Sequence, residues 1–173
     1  METIYLVGQI SPKFKETYEW RKRVREYFSR KPHVKVVGNV SIPLYKRPEI
    51  DIIDPCCNPF NQKLLQENNY AINNTDRTFG LNLLVPKDLS YVQRSSIGLV
   101  NMNHYDLKKP LLGSFFELAW YQLYPEKAVI AFTDDPDDYQ CQHPFVQRVV
   151  DVWCKDEKQA CDLIDNYFIN LEV

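Results

Sequence analysis

The chain predicts an α/β domain built on a doubly wound, parallel sheet of five strands flanked by helices. Three observations carry that expectation. Short apolar runs recur, as in strands covered on both faces: Thr3 to Gly8 (TIYLVG), Ile97 to Val100 (IGLV) and Lys127 to Phe132 (KAVIAF). Segments with helical periodicity stand between them. Strand and helix therefore alternate, the order that yields βαβ units. The 173 residues suit one domain, 1–173, long enough to bury a core, with an ordinary 45% hydrophobic and 25% charged content.

The first strand ends at Gly8. Ser11-Pro12 then offers a cap and a first-turn proline, so a helix is expected from there to about Ser29. Phe14, Tyr18, Val24, Tyr27 and Phe28 recur on one face and should meet the sheet. Lys13, Lys15, Arg21, Lys22, Arg23, Arg25 and Arg30 make the other face charged and solvated. Lys31-Pro32 ends the helix. Val34 to Val40 (VKVVGNV) reads as the second strand, with Gly38 at a bulge or close contact.

The next stretch is less regular and holds Pro43, Pro48, Pro55 and Pro59. Ile50 to Asp54 suits a short strand, Phe60 to Glu67 a short helix, and Asn68 to Arg77 an exposed loop. Long excursions of this kind often wall a pocket or meet another subunit. Asp88 should cap a short helix, DLSYVQRS, that leads into strand 97–101. After Phe132 comes an acidic loop (TDDPDDYQ). The segment Phe145 to Trp153 should contain the last strand. Asp156 should cap a final helix whose apolar stripe is Ala160, Leu163, Ile164, Tyr167 and Phe168.

The centre of the chain is Ile97 to Phe132, which reads as strand, loop, helix, strand. Gly113-Ser114 opens the helix and puts Glu117 in its first turn. That turn lies just beyond the carboxyl end of strand 97–101, where parallel sheets bind their ligands. Two readings of Glu117 stand side by side. Ser114 and Glu117 have the S-x-x-E spacing of a capping box, and the helix dipole favours a carboxylate there. A carboxylate facing the crevice is equally placed for chemistry.

Composition excludes several classes. With a net charge of −2 there is no basic excess to grip a nucleic-acid polymer, although a few local donors can hold one small anion. Neither G-x-G-x-x-G nor G-x-x-x-x-G-K-[ST] occurs, and only five glycines are present, so dinucleotide binding and P-loop hydrolysis lose support. The five cysteines are odd in number and form no C-x-x-C, so free thiols are expected rather than a disulfide framework or a zinc site. Cys141-Gln142-His143 lacks companion ligands. No apolar run has bilayer length, and METIYLVG lacks the charged and apolar regions of a secretory signal. A cytoplasmic protein with no membrane partner is the expectation.

Taken in order, Ile4-Tyr5-Leu6-Val7-Gly8, Trp20-Arg21, Asp54-Pro55, Asp88-Leu89 and Gly113-Ser114-x-x-Glu117-Leu118 resemble the nucleoside 2-deoxyribosyltransferase family. The likeness covers most of the chain and is best at residues 3–21 and 86–132. The closing stretch from His143-Pro144-Phe145 to Tyr167-Phe168 is similar to the same superfamily, including the 2'-deoxynucleoside 5'-phosphate N-hydrolases. The resemblance implies a flavodoxin-like sheet and catalysis without metal or cofactor. It implies that Glu117 attacks the anomeric carbon of a 2-deoxyribose and carries the sugar as an ester. Asp88 would protonate the departing base, and Tyr5 would position the nucleophile. Substrate contacts are expected from Gly8, Gln9, Ser11 and Arg21, from Asp54, and from Asn103, Gly113 and Ser114.

The chemistry stands without the family. An oxocarbenium-like sugar can be trapped by one carboxylate while a second acid protonates the leaving nitrogen. The chain also departs from the family pattern. Ser95-Ser96 stands where Ser-Asp is usual, and Lys109-Pro110-Leu111-Leu112 offers no carboxylate for the sugar hydroxyl. Asn103 or Asp106 could substitute. Three functions are therefore weighed: deoxyribosyl transfer, hydrolysis of nucleoside monophosphates with Ser11, Lys13 and Arg21 at the phosphate, and a nucleotide sensor without turnover. The family is oligomeric, and Phe115, Phe116, Trp120, Tyr121 and Tyr124 give the central helix more apolar surface than one sheet face requires. A homo-oligomer is expected.

Overall fold

A computed structural model of the chain describes residues 2–11, 13–30, 33–37, 40–44, 50–57 and 74–169. Five parallel strands form one sheet: β1 (Thr3–Gly8), β4 (Asp51–Ile53), β5 (Ile97–Asn101), β6 (Ala128–Phe132) and β7 (Val152–Cys154). Their order is β4-β1-β5-β6-β7. Among the described residues five α-helices flank it: α1 (Glu16–Arg30), α2 (Asn74–Arg94), α3 (Leu112–Tyr121), α4 (Pro144–Val149) and α5 (Glu157–Ile164). This is the expected α/β, flavodoxin-like architecture.

Side-chain alternation along the strands builds two cores. Ile4 and Leu6 of β1 point to one face, against Trp20, Val24 and Phe28 of α1 and Ala160, Cys161 and Ile164 of α5. Tyr5 and Val7 point to the other, against Val92 of α2, Leu118 and Tyr121 of α3 and Val146 of α4. All five residues of β5 are buried, as its unbroken apolar run requires. The order in which strands are added reverses at β1: β4 lies on one side and β5 on the other. A crevice at the carboxyl ends of β1 and β5 follows from that reversal.

Several expectations need correction. Residues 34–37 do form a strand, but not one of the five-stranded sheet. His33–Val37 (β2) and Val40–Leu44 (β3) pair antiparallel as a separate two-stranded unit, and Asp51–Ile53 takes the place beside β1. The bulge or close contact expected at Gly38 lies outside the described residues. Helix α1 starts at Glu16 rather than after Ser11, whose carbonyl instead accepts Phe14 N–H in a turn at 3.2 Å. Trp20, fully buried, belongs to the core that the sequence periodicity assigned without it, whereas Tyr18 is exposed. Asp88 starts no helix; it lies inside the 21-residue α2, two residues beyond Pro86. Residues 74–77 are helical, not loop. The helix expected at 60–67 lies outside the described residues. Asp156 does cap α5, accepting Gln159 N–H at 2.7 Å.

Candidate active site

A cleft of about 260 Å3 opens at the carboxyl rim of β1 and β5. Gly8, Gln9 and Ile10 enter it from the end of β1, and Pro55 from the turn after β4. Leu84 and Asp88 reach it from α2. Lys109, Pro110 and Leu111 line it from the loop after β5, and Gly113, Ser114 and Glu117 from α3. Gly8 permits a close backbone approach here, since a Cβ on it would sit 3.1 Å from the Asn101 carbonyl oxygen and 3.3 Å from the Trp20 ring.

Glu117 is not a capping residue. Helix α3 begins at Leu112, its N-cap is Leu111, and no side chain caps it. Ser114 therefore lies inside the first turn and Glu117 in the second. The Glu117 carboxyl instead crosses to β1, where the Tyr5 hydroxyl donates to its Oε1. Burial pushes the Glu117 carboxyl up to about 8; the Tyr5 hydrogen bond opposes that shift and the Asp88 charge reinforces it. Tyr5 is fully buried, its ring 5.5 Å from that of Tyr91, and burial together with the Glu117 charge raises its hydroxyl well above the ordinary range.

Asp88 lines the same cleft from α2. Its Oδ1 is buried and has no hydrogen-bond partner among the described residues; the Lys87 ammonium is 4.0 Å away. Desolvation raises the Asp88 carboxyl to about 6, and Lys87 holds it lower than burial alone would. Two carboxyl groups, both shifted toward neutral pH, thus line one hollow. A pair whose environments set different proton affinities is the arrangement acid–base and nucleophilic chemistry uses.

The other expected contacts divide. Gly8, Gln9, Gly113 and Ser114 line the cleft, but Gln9 turns its amide into the protein, where it bonds the 106–109 backbone. Ser11, Arg21, Asp54 and Asn103 are not among the lining residues. Arg21, read from the sequence as part of a solvated face, is fully buried. Its guanidinium stacks on Trp20 at 4.6 Å and donates to the carbonyls of Gly8 (2.8 Å), Gln9 (3.4 Å) and Thr17. Arg21 therefore fixes the backbone beneath the cleft. Asp54 pairs with Arg25, lies 3.7 Å from Arg21 and accepts Cys56 N–H.

Ser11 is also fully buried, its hydroxyl 3.3 Å from Asp106. Asn103 accepts from Thr133 Oγ1 and Asp134 N–H, joining the loops after β5 and β6. Neither Asn103 nor Asp106 supplies the carboxylate missing at residues 109–112. Lys109 and Leu111, not expected as substrate contacts, also line the cleft, and the altered Lys109-Pro110-Leu111-Leu112 loop is the signal in the sequence that marks them; Pro55, of the Asp54-Pro55 pair, lines it where Asp54 does not.

An apolar groove of about 280 Å3 between α3 and α4 holds no carboxylate among its lining residues. Among the described residues no three His, Cys, Asp or Glu side chains gather as a metal-ligand set. No described helix is long and apolar enough to cross a membrane. A scan against protein-family models finds no match. A search of curated proteins finds no significant match either.

Proposed function

We propose that the protein cleaves N-glycosidic bonds and transfers 2-deoxyribosyl groups between nucleobases through a covalent ester on Glu117. The observation that carries this reading is that Glu117 and Asp88 line one cleft at the sheet's carboxyl rim, with Tyr5 bonded to Glu117. In the first half-reaction the Glu117 carboxylate bonds to C1' of the sugar. The bond from C1' to the base nitrogen breaks, and Asp88 gives that nitrogen its proton. In the second, the incoming base bonds to C1', its proton passes to Asp88, and the ester releases Glu117. Tyr5 orients the nucleophile and stabilises its ionised form.

The two carboxyl groups begin in the opposite order of proton affinity, with Asp88 near 6 and Glu117 near 8. At neutral pH the reactive species, ionised Glu117 with protonated Asp88, is then about one part in a hundred of the free protein. Positive charge developing on the sugar draws the pair toward it.

Incubating the protein with deoxyinosine and adenine tests the reading. Deoxyadenosine formed in step with free hypoxanthine is the expected product. Thermal stabilisation by either compound without turnover would overturn it in favour of a sensor. A second reading, hydrolysis of nucleoside 5'-monophosphates, is favoured by Lys109, a cleft-lining cation whose ammonium is shared with Asp106 at 3.8 Å. Free base released from deoxynucleotides alone would establish it. Ser11 and Arg21, both fully buried, no longer support a phosphate site there.

We further propose a homo-oligomer built on α3. Phe116 remains 57% exposed on that helix, beside the apolar groove. A monomer mass of about 20 kDa by light scattering would refute it.

A further inference from the structure

We infer that Gln9 and the His104–Gln140 pair are positioning residues, fixing the 106–111 segment as a preformed wall of the cleft and so setting which ligand it accepts. The segment carries Lys109, Pro110 and Leu111, all of which face the hollow. It belongs to a loop with no regular secondary structure, and its backbone groups must find partners elsewhere.

They find them in side chains from the loops after β1 and β6 and from His104 of the same loop. Gln9, after β1, gives Nε2–H to the carbonyls of Lys109 (3.0 Å) and Asp106 (3.3 Å), and its Oε1 accepts Asp106 N–H at 2.8 Å. Both ends of the amide are spent on the loop, which leaves the buried Gln9 little with which to read a ligand. From the same side Ser11 Oγ meets the Asp106 carboxylate at 3.3 Å. On the far side His104 Nε2 is 2.7 Å from the Lys109 carbonyl oxygen. A carbonyl only accepts, so Nε2 carries the hydrogen and Nδ1 of the neutral ring is an acceptor. Gln140, on the loop after β6, donates Nε2–H to that Nδ1 at 2.8 Å, and its Oε1 accepts Leu111 N–H at 3.5 Å.

The clasp thus ties the loops after β1, β5 and β6 together, and each of its bonds sets a donor against an acceptor. Buried and satisfied networks of this kind rigidify the backbone they hold. The Lys109 carbonyl accepts from both Gln9 and His104, and its ammonium lies 3.8 Å from the Asp106 carboxylate, so the wall is held by its own polar groups and does not offer that carbonyl to a ligand.

The test combines hydrogen exchange with kinetics. Gln9→Leu removes all three Gln9 bonds; Gln140→Leu serves where Gln9→Leu does not fold. Exchange of the 104–112 amides is expected to rise about tenfold or more while strands β1 and β5 keep their protection. With deoxyinosine and adenine as substrates, KM is expected to rise about tenfold with kcat changed far less, the split of a misplaced binding wall. Unchanged exchange overturns the inference and leaves the transferase reading intact. Faster exchange with unchanged KM also overturns it, because the wall would not set ligand choice. Only the kinetic arm rests on the transferase reading. Should the unmodified protein fail to turn over any deoxynucleoside, that reading falls, and the inference is decided by exchange together with the binding of deoxyadenosine measured by calorimetry. Weaker binding in the variant supports it, and equal binding or none by either protein overturns it.

Discussion

Replacing Glu117 by Gln should stabilise the fold increasingly as pH rises. The carboxyl is buried and holds its proton to about 8, against an ordinary value of 4.5. A carboxyl raised in this way favours the folded state only while protonated. Its contribution is intact below about 4.5 and is lost as pH climbs toward 8. At roughly 1.4 kcal/mol per pH unit, ionisation costs the folded protein about 3 kcal/mol at pH 7 and about 4 kcal/mol at pH 8. Gln keeps an acceptor for the Tyr5 hydroxyl and has no charge to desolvate, so it escapes that cost. Urea unfolding at pH 5, 6, 7 and 8, followed by tryptophan fluorescence, measures the difference. The gap between variant and parent should widen by about 3 kcal/mol from pH 5 to pH 8. A gap independent of pH would refute the reasoning, because the carboxyl would then be no harder to ionise in the folded chain than in the unfolded one. The same variant should lose essentially all turnover, a gain in stability at the expense of activity.

Three further outcomes follow from the geometry. The pH profile of kcat/KM should be bell-shaped with limbs near 6 and 8, the values of Asp88 and Glu117; Asp88→Asn should lower the rate by about 100-fold or more and leave a single limb that rises with pH. An unchanged bell in that variant would dismiss Asp88 as the acid. Tyr5→Phe removes the donor that restrains Glu117, so the upper limb should move to higher pH while kcat falls about tenfold, as stopped assays across pH would register. Gly98→Ala would bring a methyl group to 2.8 Å from the Tyr121 ring, and chemical denaturation should report a loss of roughly 2 kcal/mol.

Parts of this molecule are plain in its sequence, and the physical reason is local. Strands β1, β5 and β6 are unbroken apolar runs because both faces of the sheet are covered. Asp156 caps α5 through a contact three residues away, within reach of a spacing rule. Strand β4, read within Ile50 to Asp54, is only three residues long with an exposed Asp51, and nothing in so short a run tells that it, rather than residues 34–40, lies beside β1. Helix α2 runs through Pro86, a residue that ordinarily marks a helix end, and so Asp88 looked like a beginning.

The site follows the same division. Glu117 drew attention through its place after β5, but the S-x-x-E spacing also suggested a cap that the helix does not use. What separates the two readings is Tyr5, 112 residues away in sequence. Arg21 sits among six other basic residues of residues 13–30, and nothing in that pattern distinguishes the one that backbone carbonyls draw inside. Gln9 likewise meets its partners across 97 and 100 residues. Contacts of that range belong to the fold rather than to any stretch of chain.

Intact-protein mass spectrometry, after rapid acid quench of the protein with deoxyadenosine, would examine the Glu117 ester itself. A gain of about 116 Da, one 2-deoxyribosyl group, is expected, located by peptide mapping at Glu117 and missing from Glu117→Gln. Turnover with no such adduct, or an adduct that survives the Glu117→Gln change, would contradict the account.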